Sequence, residues 1–171
     1  MYTTFWQRLD TIARRMLPVA VTLLLALFAG TPFHIPGFGE MAPAVVLISI
    51  YYWTIFRPDL LPTPAVFAIG LVQDVLTGTP LGVNALVLLL VFAVVLGQRR
   101  FFLGKSFLVM WWGFLLIVAG AMAGLWMILS SLDGTIINPL PAVFQGALTV
   151  AVFPLLTWVF IRSQQALLRG V

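Results

Sequence analysis

The sequence predicts an all-α integral membrane protein with six transmembrane helices, from its composition, its apolar segments and the placement of its basic residues. Of the 171 residues, 62% are hydrophobic and only 8% are charged, and the mean hydropathy is +1.12. A soluble domain of this size could not cover so much apolar surface with so few charges. We therefore expect a single membrane domain over residues 1–171, with lipid as its main solvent.

Six apolar segments are predicted to span the bilayer. They comprise residues 17–33, 41–56, 63–76, 81–97, 106–129 and 141–161. The second and third segments are short for a bilayer that requires about 20 helical residues. Short spans that end at Gly or Pro are tolerated where protein surrounds the interrupted backbone, so we expect protein rather than lipid around these two.

The basic residues predict the orientation. With six spans, all nine fall on one side of the membrane: Arg8, Arg14, Arg15, Arg57, Arg99, Arg100, Lys105, Arg162 and Arg169. The opposite loops contain His34, Glu40 and Asp133 but no Lys or Arg. Because cytoplasmic loops are enriched in Lys and Arg, both termini are predicted to be cytoplasmic. Four tryptophans near the same boundary are expected to be interfacial anchors: Trp53, Trp111, Trp112 and Trp158.

The N-terminal arm, residues 1–16, has two interpretations. Phe5, Leu9, Ile12 and Met16 recur at helical spacing, and polar residues occupy the positions between them. This pattern is typical of an amphipathic helix in the cytoplasmic headgroup layer. Alternatively, the arm is a disordered positive tail that only orients the first span.

The sequence Arg57-Pro58-Asp59 predicts the end of the second span. Proline disfavours helix at the residue before it, so the span is expected to stop at Phe56. Thr63-Pro64 then predicts the start of the third helix, with Thr63 as N-cap. The segment between is either a tight cytoplasmic turn, in which Arg57 and Asp59 satisfy each other or the local backbone, or a docking knob for a partner.

Asp74 is the candidate functional residue of the third span. A helix starting at Thr63 carries it about 16 Å inward, past the middle of a hydrocarbon core about 30 Å thick. The same narrow helix face is predicted to carry Phe67, Gly70, Leu71 and Gly78. An ionisable group at this depth is a functional-site candidate by default.

Two roles compete for this carboxylate. In the structural role, it accepts hydrogen bonds from loop amides of residues 77–82 or from Asn84, and so locks the glycine-proline hinge. In the functional role, it binds a proton, a cation or a ligand in a pocket that opens to the outside. No second acidic residue occurs at comparable depth, which argues against ion transport and favours the structural role.

Small residues predict close helix contacts in the last two spans. Gly120 and Gly124 form a small-xxx-small ridge, and Gly113 precedes them by one heptad. Ala142 and Gly146 form a weaker ridge in the sixth span. Such ridges allow helices to approach closely in lipid. They serve either packing within this protein or docking of another protein's span.

The residue inventory excludes several function classes. There is no cysteine and only one histidine, His34, so neither a metal site nor thiol chemistry is expected. No nucleophile–base–acid set and no phosphate-binding glycine motif can be assembled. The basic residues lie at the ends of apolar segments, so nucleic-acid binding is not expected either. The prediction is a non-enzymatic protein without cofactor or metal.

Residues 52–86 resemble the signature region of the MreD family of bacterial rod shape-determining membrane proteins. The strings that carry the resemblance are RPDLLP, FAIGLVQDVLTGTPLG and NAL. The motif positions are Arg57, Pro58, Asp59, Pro62, Gly70, Asp74, Gly78, Pro80, Leu81 and Gly82, followed by Asn84 in the last string. None of them has a catalytic role by that analogy.

The resemblance implies a membrane scaffold of the machinery that builds the lateral peptidoglycan wall, located in the bacterial inner membrane. Its implied partners are MreC, which is a single-span protein, the MreB filament system, and the RodA polymerase with its transpeptidase. The implied fold is similar to the substrate-binding subunit of ECF-type vitamin transporters. The alternative function is a small-molecule or lipid-precursor binding or transport subunit, with an outward-facing cavity near Asp74.

Overall fold

The computed structural model describes residues 18–28 and 44–168, and the side chains as far as Arg162. The N-terminal arm, His34, Glu40 and Arg169 lie outside the described residues. The described chain is all-α. Its helices are α1 (Pro18–Phe28), α2 (Val45–Phe56), α3 (Thr63–Thr77), α4 (Val83–Phe102), α5 (Phe107–Asp133) and α6 (Leu140–Leu168), with a 3₁₀ turn at Pro58–Leu60.

Three of these helices are long and apolar enough to cross a membrane: α4, α5 and the segment Leu140–Arg162 of α6. The helices α1, α2 and α3 are shorter and apolar. Each predicted segment therefore contains a helix, and the three long ones make this an integral membrane protein. For α1, α2 and α3, helix formation is observed, but crossing remains a prediction because they are shorter than a bilayer requires.

Several helix bounds differ from the predicted segments, among them the end of α4 and the start of α3. Helix α4 does not end at Gly97 but continues to Phe102, and Arg99 and Arg100 form its last turn. Basic residues at a helix C-terminus interact favourably with the helix dipole, so the helix need not stop where the apolar run stops. At α3, the N-cap is Pro62 rather than Thr63, and no side-chain oxygen caps the helix.

Helix α2 is the centre of the bundle. Residues 46–55 are all buried, so the helix has no polar face. The Tyr51 ring contacts Phe114 of α5, Phe102 of α4 and Phe153 of α6, with ring centroids 5.0, 6.0 and 5.8 Å apart. Its hydroxyl donates to the carbonyl of Met110 at 3.0 Å. One tyrosine therefore connects α2 with the three long helices.

The expectation that Trp53 is an interfacial anchor is wrong. Its side chain is only 2% exposed and packs against Tyr52 and Phe160 inside the bundle. The error arises because α2 is surrounded by protein, so nearness to a helix end does not bring a residue to the lipid surface. Trp112 and Trp158 are exposed.

Hydroxyl groups attach both the beginning and the second turn of α2 to its neighbours. The Ala44 amide, which precedes the helix, donates to Thr149 Oγ1 of α6 at 2.9 Å. Ser49 Oγ lies 2.7 Å from Thr22 Oγ1 of α1. Because the first amides of a helix lack partners within the helix, the contact with Thr149 satisfies a group that lipid could not.

Helices α3 and α4 are in backbone contact at Gly70. A Cβ atom at this position would lie 2.3 Å from the Ala85 Cα atom. The buried face of α3 comprises Val66, Ile69, Gly70 and Asp74. The predicted face is correct for Gly70 and Asp74, but Phe67 is 45% exposed because it lies one residue round the helix from Val66.

We predict that Gly70→Ala destabilises the protein by about 1–3 kcal/mol, because the added methyl group must push two helix backbones apart. The measurement is thermal unfolding in detergent. Gly97→Ala is the matched control, since no atom lies within 4 Å of a Cβ built there. That control should be neutral or stabilising by about 0.5–1 kcal/mol through helix propensity. Equal effects of the two substitutions would contradict the backbone contact.

Candidate functional site

The turn between α2 and α3 contains the first motif residues. Backbone hydrogen bonds close it, from Leu60 N to Arg57 O and from Leu61 N to Pro58 O, both 3.1 Å. Leu61 is fully buried, whereas Arg57 and Asp59 are exposed. In the described residues no ion pair joins these two side chains. The structure therefore places both charges at the surface, and the backbone alone holds the turn.

Asp74 is fully buried at the other end of α3, and three groups donate hydrogen bonds to its carboxylate. Thr79 Oγ1 donates to Oδ1 at 2.9 Å, and the Asn84 amide donates to the same oxygen at 2.9 Å. The Gly82 amide donates to Oδ2 at 2.8 Å. The Asn84 side chain also donates to Thr79 Oγ1 at 3.0 Å. The loop and the start of α4 are thus gathered round one carboxylate.

The geometry makes Asp74 a cap for a helix other than its own. Gly82 is the N-cap residue of α4 and Asn84 lies in its first turn, where amides have no partner within the helix. A carboxylate at a helix N-terminus also interacts favourably with the helix dipole. These contacts are the ones that the structural interpretation of Asp74 expects.

The two glycines of the loop are required by its backbone. Gly78 ends α3 with φ of 69°, and Gly82 starts α4 with φ of 100°. Both values lie in the left-handed region that side chains disfavour. Pro80 accepts from the Val83 amide at 3.2 Å, and Leu81 is exposed at the tip. With Gly78 and Gly82 at its two ends, the loop is short enough for the Gly82 amide to reach the Asp74 carboxylate.

Asp74 is enclosed by the residues around it. Three donors occupy most of the roughly four acceptor positions of its carboxylate, and no part of the residue is exposed. A cavity of about 670 Å³ exists, but it lies between α5 and α6 and none of its lining residues belongs to α3 or the following loop. The cavity near Asp74 that the alternative function requires stays a prediction.

The small residues of α5 and α6 do not form one surface. A Cβ atom at Gly113 would lie 2.3 Å from the Phe102 ring, so this glycine packs inside the bundle. At Gly120 and Gly124 no described atom lies within 4 Å of such a Cβ. Gly113 thus lies under the neighbouring helices, whereas the same face of α5 is uncovered one heptad later.

The other two small residues, Ala142 and Gly146, belong to the α5–α6 cavity. Both line it, and a Cβ at Gly146 would be 3.4 Å from Met122 Cγ of α5. Of the two roles predicted for the small residues, packing within this protein is therefore the one observed at Gly146.

The α5–α6 cavity, hereafter the groove, was not predicted from the sequence. Two indole groups of α5 that line it donate hydrogen bonds: Trp111 Nε1 to the Val150 carbonyl of α6 at 3.3 Å, and Trp126 Nε1 to the carbonyl of Ile137, in the segment before α6, at 2.8 Å. The first bond has a sequence signal. Pro154 in α6 has no amide hydrogen and so leaves the carbonyl four residues earlier, that of Val150, without its helical donor. Because a buried carbonyl needs a hydrogen-bond donor, the sequence predicts that a group from another helix donates to Val150.

We predict that Asp74→Asn destabilises the protein by about 3 kcal/mol, because an amide offers one acceptor oxygen where three donors require two, and the charge is lost. Asp133→Asn is the control, since Asp133 is an exposed carboxylate. Thermal unfolding and membrane expression level are the measurements. If Asp74→Asn unfolds like the native protein and loses only a ligand or proton response, the structural role is wrong.

Comparisons with known proteins agree with the signature and extend it. The sequence matches the family described as rod shape-determining protein MreD over residues 11–164. No curated protein and no solved structure matches the chain. The family match includes all six described helices except the last few residues of α6. Because it covers nearly the whole sequence, the chain belongs to the rod shape-determining protein MreD family.

Proposed function

We propose that the protein is a non-enzymatic membrane scaffold of the bacterial cell-elongation machinery, which binds an MreC-like single-span protein in the inner membrane. Membership of the MreD family implies a role in rod shape determination. The proposal goes further in naming MreC as the direct partner, and the MreB filament system and RodA with its transpeptidase as the wider assembly. It also includes six membrane spans and a fold similar to that of ECF-type substrate-binding subunits.

The observation that carries the proposal is the uncovered glycine face of α5, formed by Gly120 and Gly124. A Cβ atom built at either glycine would have no described atom of another residue within 4 Å. In lipid, helices associate through close backbone approach at small residues rather than through the hydrophobic effect. The neighbouring surface of α5 is apolar and exposed at Leu116 and Met127. This face has the chemistry that a second transmembrane helix requires.

We predict that Gly120→Leu or Gly124→Leu abolishes co-purification of the co-expressed MreC protein of the same organism. Overpacking at a close helix contact costs about 1–3 kcal/mol, which weakens binding by roughly 5- to 150-fold. The fold should be unaffected, because both positions are open. Gly97→Leu is the control, as an open glycine on α4. If both α5 variants retain MreC and keep the native unfolding temperature, MreC does not bind at Gly120 and Gly124.

The orientation part of the proposal rests on charge. The described basic residues lie at one end of the bundle, where the C-terminal part of α2, the last turn of α4, the start of α5 and the later part of α6 meet through Tyr51–Phe102 and Trp53–Phe160 contacts. Asp74 and its loop lie at the opposite end. Since Lys and Arg mark the cytoplasmic side, the basic end is proposed to be cytoplasmic.

The absence of cysteine from the sequence allows a direct test of this orientation. Ser106→Cys and Thr135→Cys place exposed thiols before and after α5. In spheroplasts, we expect a membrane-impermeant maleimide to label Thr135→Cys, and to label Ser106→Cys only after permeabilisation. The reverse pattern would invert the topology. Labelling of both positions in intact spheroplasts would show that α5 does not cross the membrane.

A further inference from the structure

The groove between α5 and α6 has the size and the lining of a ligand site. Its volume of about 670 Å³ lies within the range of about 300–1,000 Å³ that small-molecule sites occupy. Its lining is almost entirely apolar, with small side chains such as Ala119, Ala123, Ala147 and Ala151. Helix packing leaves a void here because these side chains do not fill the space between the helix axes.

The groove is long. It extends along α5 from Trp111 to Trp126, which is about 22 Å at the rise of an α-helix. Half of the hydrocarbon core is about 15 Å thick. An extended acyl chain from one leaflet therefore fits within its length. The bond from Trp111 to Val150 connects α5 with α6 near one end of the groove, and the bond from Trp126 to Ile137 connects α5 with the segment before α6 near the other.

A cation lies beyond one end of the groove on the same helix face. Positions 147, 151, 155, 158 and 162 of α6 follow helical spacing, so Leu155, Trp158 and Arg162 continue the line of Ala147 and Ala151. Leu155 is 68% and Trp158 is 61% exposed. The Arg162 guanidinium lies 5.3 Å from the centroid of the Trp158 ring. In the described residues no carboxylate pairs with Arg162.

We propose that this groove and Arg162 together form a binding site for one anionic phospholipid, with an acyl chain in the groove and the phosphate at Arg162. The apolar lining matches the hydrocarbon chain, and the guanidinium, which pairs with no carboxylate among the described residues, matches the negative headgroup. Trp158 holds the guanidinium at the height where the exposed apolar surface of α6 ends. Tryptophan and arginine at the interface are the side chains that fix a lipid headgroup in depth.

Charge complementarity selects a lipid rather than a protein helix as the occupant. An ordinary transmembrane helix is apolar and offers no anion to Arg162, whereas every phospholipid carries a phosphate and an anionic one carries net negative charge. The uncovered glycine face, Gly120 and Gly124, does not line the groove. The lipid site and the proposed partner surface are therefore separate, and each can be tested without the other.

The experiment measures lipid retention by native mass spectrometry of the full chain, purified and then equilibrated with mixed micelles of phosphatidylglycerol and phosphatidylcholine. One basic residue near an anionic lipid contributes about 1 kcal/mol, which corresponds to a preference of roughly fivefold. We expect the native protein to prefer phosphatidylglycerol to this extent and Arg162→Gln to lose the preference. Arg100→Gln, an exposed arginine of α4 at the same end, should keep it.

A second pair of variants tests the groove. Ala147→Leu fills it and should reduce retention of both lipids several-fold, whereas Ala93→Leu, the same change on the exposed surface of α4, should not. Equal loss of preference in Arg162→Gln and Arg100→Gln would overturn the site in favour of general surface charge. Unchanged lipid retention in Ala147→Leu, with loss of MreC co-purification, would make the groove a protein-binding surface instead.

Discussion

The hydrogen bonds that Asp74 accepts from the start of α4 are the constraint on which this half of the structure depends. A short helix, a tight loop and the first turn of the next helix all have backbone amides that lipid cannot satisfy. One carboxylate satisfies the critical ones, Gly82 N and Asn84 N. The same contacts fix the register of α3 against α4, and only that register brings Gly70 onto Ala85. The charge thus has a structural reason to be buried in a chain that has few charges.

The other half of the bundle is organised by α5, whose faces serve different neighbours. One face carries Met110, Phe114 and Val118 into the core round Tyr51. A second lines the groove with α6, and a third presents Gly120 and Gly124 to the surroundings. Tight intramolecular packing, a fixed void and an uncovered glycine face therefore coexist on one helix. The proposed scaffold role, in which the protein keeps its own shape and binds a partner in the membrane, requires this division.

Much of this architecture could be predicted from the sequence, because hydropathy and proline placement are local signals. All six helices lie at the predicted segments, and the donors to Asp74 come from the expected loop and Asn84. The remainder depends on which helices become neighbours. Nearness to a helix end predicts Trp53 at the interface, but α2 is enclosed. Sequence spacing places Gly113 with Gly120, but Phe102 covers Gly113. The groove was missed because a void between two helices leaves no local trace, apart from the carbonyl that Pro154 frees.

The complete enclosure of α2 has a consequence for the order of assembly. This helix is one of the first to leave the ribosome, yet its N-terminal amide bonds to Thr149 and its rings contact Phe153 and Phe160, all in the last helix. With only 12 residues, it is too short to span a bilayer alone. Its final environment exists only after α6 has been synthesised and inserted. Before that, α2 lacks the protein environment that buries it. The bundle is therefore completed by the insertion of its C-terminal helix.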